Sequence, residues 1–277
     1  MKIPAKLFLS LLLLISFALF DGCGTHKSKW VYDKTIKLDN SNPIGITSAG
    51  NNFFVSDVKN SRLIEIDEDG KIINEIKNLK RPMHISSYAD KIYIPEYLND
   101  SIKVFANNEL YNMELSIHPD APSGISVNGD TILVADFYNH RIILQIGNIA
   151  KVIGKKGHGA GELFYPTDVQ LVNGLIYVAD AYNNRVQVFD LSGNSKEIIG
   201  SKDSINVATG ITVYKDNLFV ADFFNNRILI YNLKGELLNI LKDHLDHPSD
   251  IFINNDSMWV PNYAAGSISG FQKIKIR

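Results

Sequence analysis

The segment VADAYNNRVQVFD, residues 178–190, recurs with few changes as VADFYNHRIILQI from Val134 and VADFFNNRILIYN from Val220. A chain that rewrites one short unit at a fixed period cannot bury each unit alone, so it must stack the units against one another. Aligned on the residue that opens each unit, the chain contains six. They begin at Pro43, Pro82, Pro122, Pro166, Ala208 (in the proline's place) and Pro248, with spacings of 39, 40, 44, 42 and 40.

Each unit reads as short strands. GISV and TDVQL are β-branched runs, and NGD, NGL and KDN are turn signals. LIYVAD followed by RVQVFD alternates apolar and polar residues across a hairpin with AYNN at its tip, and a fourth segment such as SKEIIG follows. After residue 30 no long apolar stripe has helical period. Four strands in about 40 residues, repeated, predict an all-β, six-bladed β-propeller of four-stranded blades. The last unit stops short of a fourth strand, whereas KWVYDKTIKLD (29–39) precedes the first unit as a lone strand-like segment. Pairing the two closes the ring and leaves no exposed edge.

The repeats VADAYNNRVQVFD, VADFFNNRILIY and VADFYNHRI, with the spacer GKKGHGAGELFYP (154–166), resemble the NHL-repeat family of six-bladed β-propellers. The resemblance covers residues 29–277. It is strong in units three to five, fair in unit one and degenerate in units two and six. It implies a recognition module that binds a protein, peptide or glycan. The family is in turn similar to peptidyl-α-hydroxyglycine amidating lyases and, more distantly, to lactonase-type propellers. That likeness implies an alternative: a metal-dependent enzyme with its site in the central channel. The lyases hold zinc with several histidines, and here only His84 stands at such a position. A carboxylate-rich Ca²⁺ site of the lactonase kind points to Asp168, Asp250 and Glu96.

A catalytic group is needed once, but a hairpin brace is needed in every blade. The acid Asp57, Glu96, Asp136, Asp180 and Asp222, and the arginine Arg62, Arg141, Arg185 and Arg227, therefore read as frame. An electrostatic ring at the channel mouth is the other reading. Positions that break the pattern are the candidate function. Two residues after each opener stand Gly45, His84, Gly124, Asp168, Gly210 and Asp250. First strands of propeller blades line the channel, so His84, Asp168 and Asp250 can converge as ligands for a divalent cation (Ca²⁺ or Zn²⁺), with the three glycines leaving room. They can equally hold the starts of the strands. A second set, Tyr97, Phe137, Tyr138, Tyr182, Phe223, Phe224 and Tyr263, falls at hairpin tips, part facing the core and part forming an aromatic rim. Pro95-Glu96-Tyr97 and Pro261-Asn262-Tyr263 mark units two and six as a specialised sector. The candidate ligand-binding residues are Glu96, Tyr97, Tyr138, Tyr182, Phe224, Asn262 and Tyr263.

Lys2 and Lys6 precede an apolar run of 14 residues, 7–20, too short to span a bilayer and suited to an export signal. The run ends in LFDGC. This resembles a bacterial lipobox, with Asp21 as its departure, and implies lipidation of Cys23, the only cysteine. The expected order is a lipoprotein signal peptide (1–22), a tether (23–29) and the propeller (30–277), anchored by lipid to a membrane of the bacterial cell envelope. A net charge of -2 and the lack of a basic stripe exclude a general nucleic-acid binder. No nucleotide-binding loop or hydrolase nucleophile motif occurs.

Overall fold

The computed structural model describes residues 28–276, so the expected signal peptide, Cys23 and most of the tether lie outside the described residues. Twenty-four strands form six separate four-stranded sheets. Blades 1 to 5 span residues 43–76, 86–113, 122–153, 168–199 and 208–241. Blade 6 takes three strands from residues 252–275, and its fourth is Ser28–Lys37. That strand pairs antiparallel with Ser267–Lys275, from Ser28↔Lys275 to Lys37↔Ser267. The ring is thus closed by the N-terminal strand, as the incomplete last unit required.

The apolar residues of each hairpin do not make a core within a blade. They make six clusters, one between each neighbouring pair of blades. Phe54, Leu63, Ile85 and Ile94 join blades 1 and 2, and Leu133, Ile142, Val178 and Phe189 join blades 3 and 4. Tyr231 of blade 5 is wholly buried against Val186 and Val188 of blade 4. The closing strand serves two clusters, Trp30 facing blade 5 and Ile36 facing blade 1.

Buried hydroxyls then stitch the blades near the axis. Ser123, Thr167, Thr209 and Ser249 each follow the opener of their unit, and each donates to the carbonyl of the next blade's opener: Pro166 (2.8 Å), Ala208 (3.0 Å), Pro248 (3.3 Å) and Pro43 (3.0 Å). Blades 2 and 6 depart from the other four. Pro95 and Pro261 sit inside the second strand and cannot donate to the ladder, and the first strands there shrink to Ser86–Tyr88 and Phe252–Asn254.

Candidate functional site

The hairpin signature builds the frame. In blades 1, 3, 4 and 5 the acid and the arginine face each other across the hairpin, as in Asp180↔Arg185. Arginine Nε donates to the carboxylate at 2.5–2.9 Å in all four. The asparagine three residues after the acid adds a donor, and so does a backbone N–H 15 or 16 residues before it, that of Phe164 for Asp180 (2.7 Å). All four acids are buried. Burial raises the pKa of Asp57, but the Asn60 amide, the Asn42 N–H and Arg62 together hold it below the ordinary carboxylate range. These carboxylates are fully engaged inside the blade and form no open electrostatic ring.

Two expected ligand residues belong to this frame. Glu96 is buried, accepts from Lys80 N (2.8 Å) and is met by Asn99 and Ser101. Asn262 is buried, accepts from Asp246 N (2.9 Å) and donates to Ser269 Oγ (2.8 Å). Ser101 and Ser267 stand opposite them where the other blades place arginine. Glu96 and Asn262 therefore complete variants of the brace in units two and six, and Glu96 is not among the groups that converge in the channel. His140 is likewise frame: its Nδ1 accepts from Tyr165 N (3.0 Å), as Asn184 and Asn226 side chains accept from Val207 N and His247 N.

The remaining aromatic candidates sit at the hairpin tips. Tyr138 and Tyr182 are 50% and 54% exposed, and Phe224 is as open. Tyr97, Phe137, Phe223 and Tyr263 are half-buried. Tyr97 of blade 2 meets Phe137 and Tyr138 of blade 3 at 5.6 Å each between ring centres, and Phe137 meets Tyr182 of blade 4 at 6.3 Å. Phe164 and Tyr165 fill the gap: Tyr165 lies 4.8 Å from Phe137 and 5.1 Å from Tyr182. Arg81 stands 4.7 Å over the Tyr97 ring. The result is one aromatic surface across three blades, with a smaller group (Phe223, Phe224, His247 and Tyr263) across blades 5 and 6. Phe164, Tyr165 and Arg81 were not singled out in the sequence, because they stand before the unit openers, outside the repeated hairpin.

The channel gathers the other candidates. His84, Asp168 and Asp250 are all buried, and one ligand atom from each lies within 4.8 Å of the other two. Each carboxylate is oriented by two backbone N–H groups. Asp168 accepts from Val169 (2.8 Å) and from Ile211 of blade 5 (2.9 Å), and Asp250 accepts from Ile251 (2.8 Å) and from Ile46 of blade 1 (2.9 Å). His84 Nδ1 is 3.7 Å from Asp250 Oδ2, too far for a hydrogen bond, and is buried without a partner. Burial pushes the Asp168 pKa up to about 7, the His84 charge opposing and Asp250 reinforcing the shift. For His84, burial disfavours the charged ring, but the closeness of Asp250 and the charge of Asp168 outweigh it and raise the pKa. Both aspartates line a cavity of about 390 Å³ whose polar wall includes Thr47, Ser87, Ser126, Gln170 and Thr212.

The alternating glycines do not leave channel space. A Cβ on Gly45 would meet Met83 O at 2.7 Å and His84 Cα at 2.9 Å. On Gly124 it would meet Asp168 Cα at 2.8 Å, and on Gly210 Asp250 Cα at 2.6 Å. Each glycine lets the next blade's backbone come close, and so seats His84, Asp168 and Asp250 at the axis.

Ring, frame and channel define a six-bladed β-propeller. Within it, the NHL repeat model matches residues 120–143 and 165–189, in blades 3 and 4. No curated protein matches the sequence. Among solved structures, a streptogramin B lyase is similar at 18% identity and a TM-score of 0.67, covering 90% of this chain and 88% of that one. Virginiamycin B lyase from Staphylococcus aureus is similar at 19% identity and a TM-score of 0.65, covering 91% and 89%. A protein of unknown function from Bacteroides thetaiotaomicron aligns at 12% identity and a TM-score of 0.70, covering 90% and 76%. At these identities the likeness is one of fold.

Proposed function

We propose that this chain is an NHL-repeat recognition propeller whose aromatic face, centred on Tyr97, Tyr138 and Tyr182, binds a protein, peptide or glycan ligand. The observation that carries the reading is the continuity of that face over blades 2 to 4, with two tyrosines half open to solvent and Arg81 at its margin. Rigid aromatic rings beside a guanidinium supply large contact area at low entropic cost. Phe224 and Tyr263 extend the same kind of surface to blades 5 and 6. Glycan and peptide arrays probed with the chain test it. Tyr138→Ala with Tyr182→Ala is expected to weaken every captured ligand by roughly tenfold or more, the loss of two aromatic anchors. Ligands retained equally by the double variant would contradict the reading.

The chain is, on this proposal, exported and held at a bacterial envelope membrane by lipid on Cys23, where a face turned outward from the tether would meet its ligand. Diacylation with an amide-linked chain gives firm anchoring, since each buried CH₂ contributes about 0.8 kcal/mol. Cys23→Ser is expected to move the protein from the detergent-soluble membrane fraction to the soluble envelope fraction. Failure of the unmodified chain to take up labelled palmitate would remove the anchor from the account.

The metal-dependent enzyme remains a second reading, and one observation favours it: the two carboxylates lie at the wall of a polar cavity, with the buried His84 imidazole beside them. The lactonase-like or amidating-lyase-like chemistry belongs to that reading. It requires first that the three residues hold an ion.

A further inference from the structure

We infer that His84, Asp168 and Asp250 form a binding site for one first-row transition-metal dication, of which Zn²⁺ is the representative, with the remaining coordination positions facing the channel cavity. The proposal does not depend on the aromatic face. It starts from an imbalance in polar satisfaction. A buried polar atom without a partner is uncommon in a folded chain and calls for a physical cause. His84 Nδ1 is such an atom in a side chain that is 2% exposed, and it is directed at the Asp250 carboxylate from 3.7 Å. That separation is too long for a hydrogen bond and close to the gap between two donors that share a small ion with bonds of about 2.0–2.2 Å.

The carboxylates point the same way. Two buried acids with ligand atoms inside 4.8 Å repel when both are ionised, and a dication between them removes the repulsion. Each of their four oxygens accepts one backbone N–H, from Val169, Ile211, Ile251 and Ile46, which leaves a second lone pair on every oxygen. Those N–H groups belong to blades 4, 5, 6 and 1, so the ring itself fixes the ligand directions. This is the outer-shell orientation that metal ligands ordinarily require. The glycine seats add to it, because Gly45, Gly124 and Gly210 admit the backbone of each ligand in turn. The chain therefore spends three glycines and four backbone donors on placing three side chains that no other blade position duplicates.

The donor set selects the ion. An imidazole nitrogen suits zinc and its transition-metal neighbours, whereas Ca²⁺ and Mg²⁺ favour six or more oxygens. Three protein ligands with positions left over describe an open site rather than a closed structural one. The open side is supplied by the cavity, which Asp168 and Asp250 line and which the hydroxyls of Thr47, Ser87 and Thr212 make hospitable to metal-bound water.

Calorimetric titration of the metal-stripped full chain, purified in detergent, with ZnCl₂ and separately with CaCl₂ tests the inference. The expected result is one Zn²⁺ per chain at micromolar affinity or tighter, a raised melting temperature, and no comparable response to CaCl₂. His84→Ala, which removes a nitrogen that bonds to nothing in the metal-free chain, is expected to weaken Zn²⁺ at least tenfold. Asp168→Asn is expected to do the same and serves if the histidine variant does not fold. Cobalt in place of zinc gives an arm that needs no variant: a four- or five-coordinate site shows an intense visible band. No heat with Zn²⁺, uptake that both variants keep (metal on surface histidines such as His158 or His247), preference for Ca²⁺, or a cobalt spectrum like that of the aquo ion would each overturn it.

Discussion

A chain that begins at Asn40 is expected to lose the folded ring or to melt far below a chain that begins at Gly24. Removing residues 28–37 takes away the outermost strand of blade 6 and its register from Ser28↔Lys275 to Lys37↔Ser267. It also removes Trp30 from the cluster against blade 5 and Ile36 from the cluster against blade 1, and the cut takes Leu38 with them. Burying each such side chain contributes about 1.5–3 kcal/mol. Three of them approach the whole stability of an ordinary domain, about 5–15 kcal/mol. The strand Ser267–Lys275 would then present an open edge, so association is expected alongside instability. Thermal melting and size-exclusion chromatography of the two chains check this. Equal melting temperatures would mean that the closing strand adds nothing.

How much of this was legible in the sequence follows from which forces repeat. Period, hairpin and ring closure were legible because strand alternation and turn residues recur in each unit, and because LIYVAD facing RVQVFD leaves little choice of register. The convergence of His84, Asp168 and Asp250 was legible because equivalent repeat positions occupy equivalent places around an axis. Their surroundings were not. The glycines at the alternate positions read as space, yet the structure puts the neighbouring backbone there, as with Asp250 Cα 2.6 Å from a Cβ at Gly210. That is a contact between residues 40 apart, and no local pattern records it. Glu96 and Asn262 read as exceptions through their Pro–acid/amide–Tyr triplets, and in both units the arginine of the brace is absent. Ser101 and Ser267, five residues on, are the compensation, and the pairing becomes visible only when the hairpin register is known. Phe164, Tyr165 and Arg81 join the aromatic face from the loops before the unit openers, where spacing varies and alignment on the hairpin carries no information.

The other large expected effect concerns the frame. Arg185 is 8% exposed. It donates to Asp180 Oδ2 (2.8 Å) and to the carbonyls of His158 (2.9 Å), Gly159 (2.7 Å) and Glu162 (3.0 Å). Arg185→Ala leaves a buried carboxylate without its cation and the His158 carbonyl without a donor, and it takes one of two donors from the Gly159 and Glu162 carbonyls, which keep Glu162 N and Gln187 Nε2. Breaking a buried ion pair in this way costs about 3–5 kcal/mol. For a chain of this size each kcal/mol moves the midpoint by about 2–4 °C, so the expected drop is roughly 10 °C. Loss of the spacer's anchorage is expected to increase proteolysis within residues 154–166 before the ring itself unfolds.

On the proposed reading, the Asp, Asn and Arg of each hairpin are frame and the aromatic residues at its tip are surface for recognition. Tyr182 and Arg185 come from the same hairpin tip, three residues apart, and differ in exposure: Tyr182 is 54% exposed and Arg185 is buried. Thermal unfolding of Tyr182→Ala and Arg185→Ala, side by side with the unmodified chain, separates the two roles. The account predicts a fall of roughly 10 °C for Arg185→Ala and of no more than about 4 °C for Tyr182→Ala, whose ring gives up only its buried half. A Tyr182→Ala midpoint that falls as far as that of Arg185→Ala, or further, would contradict it.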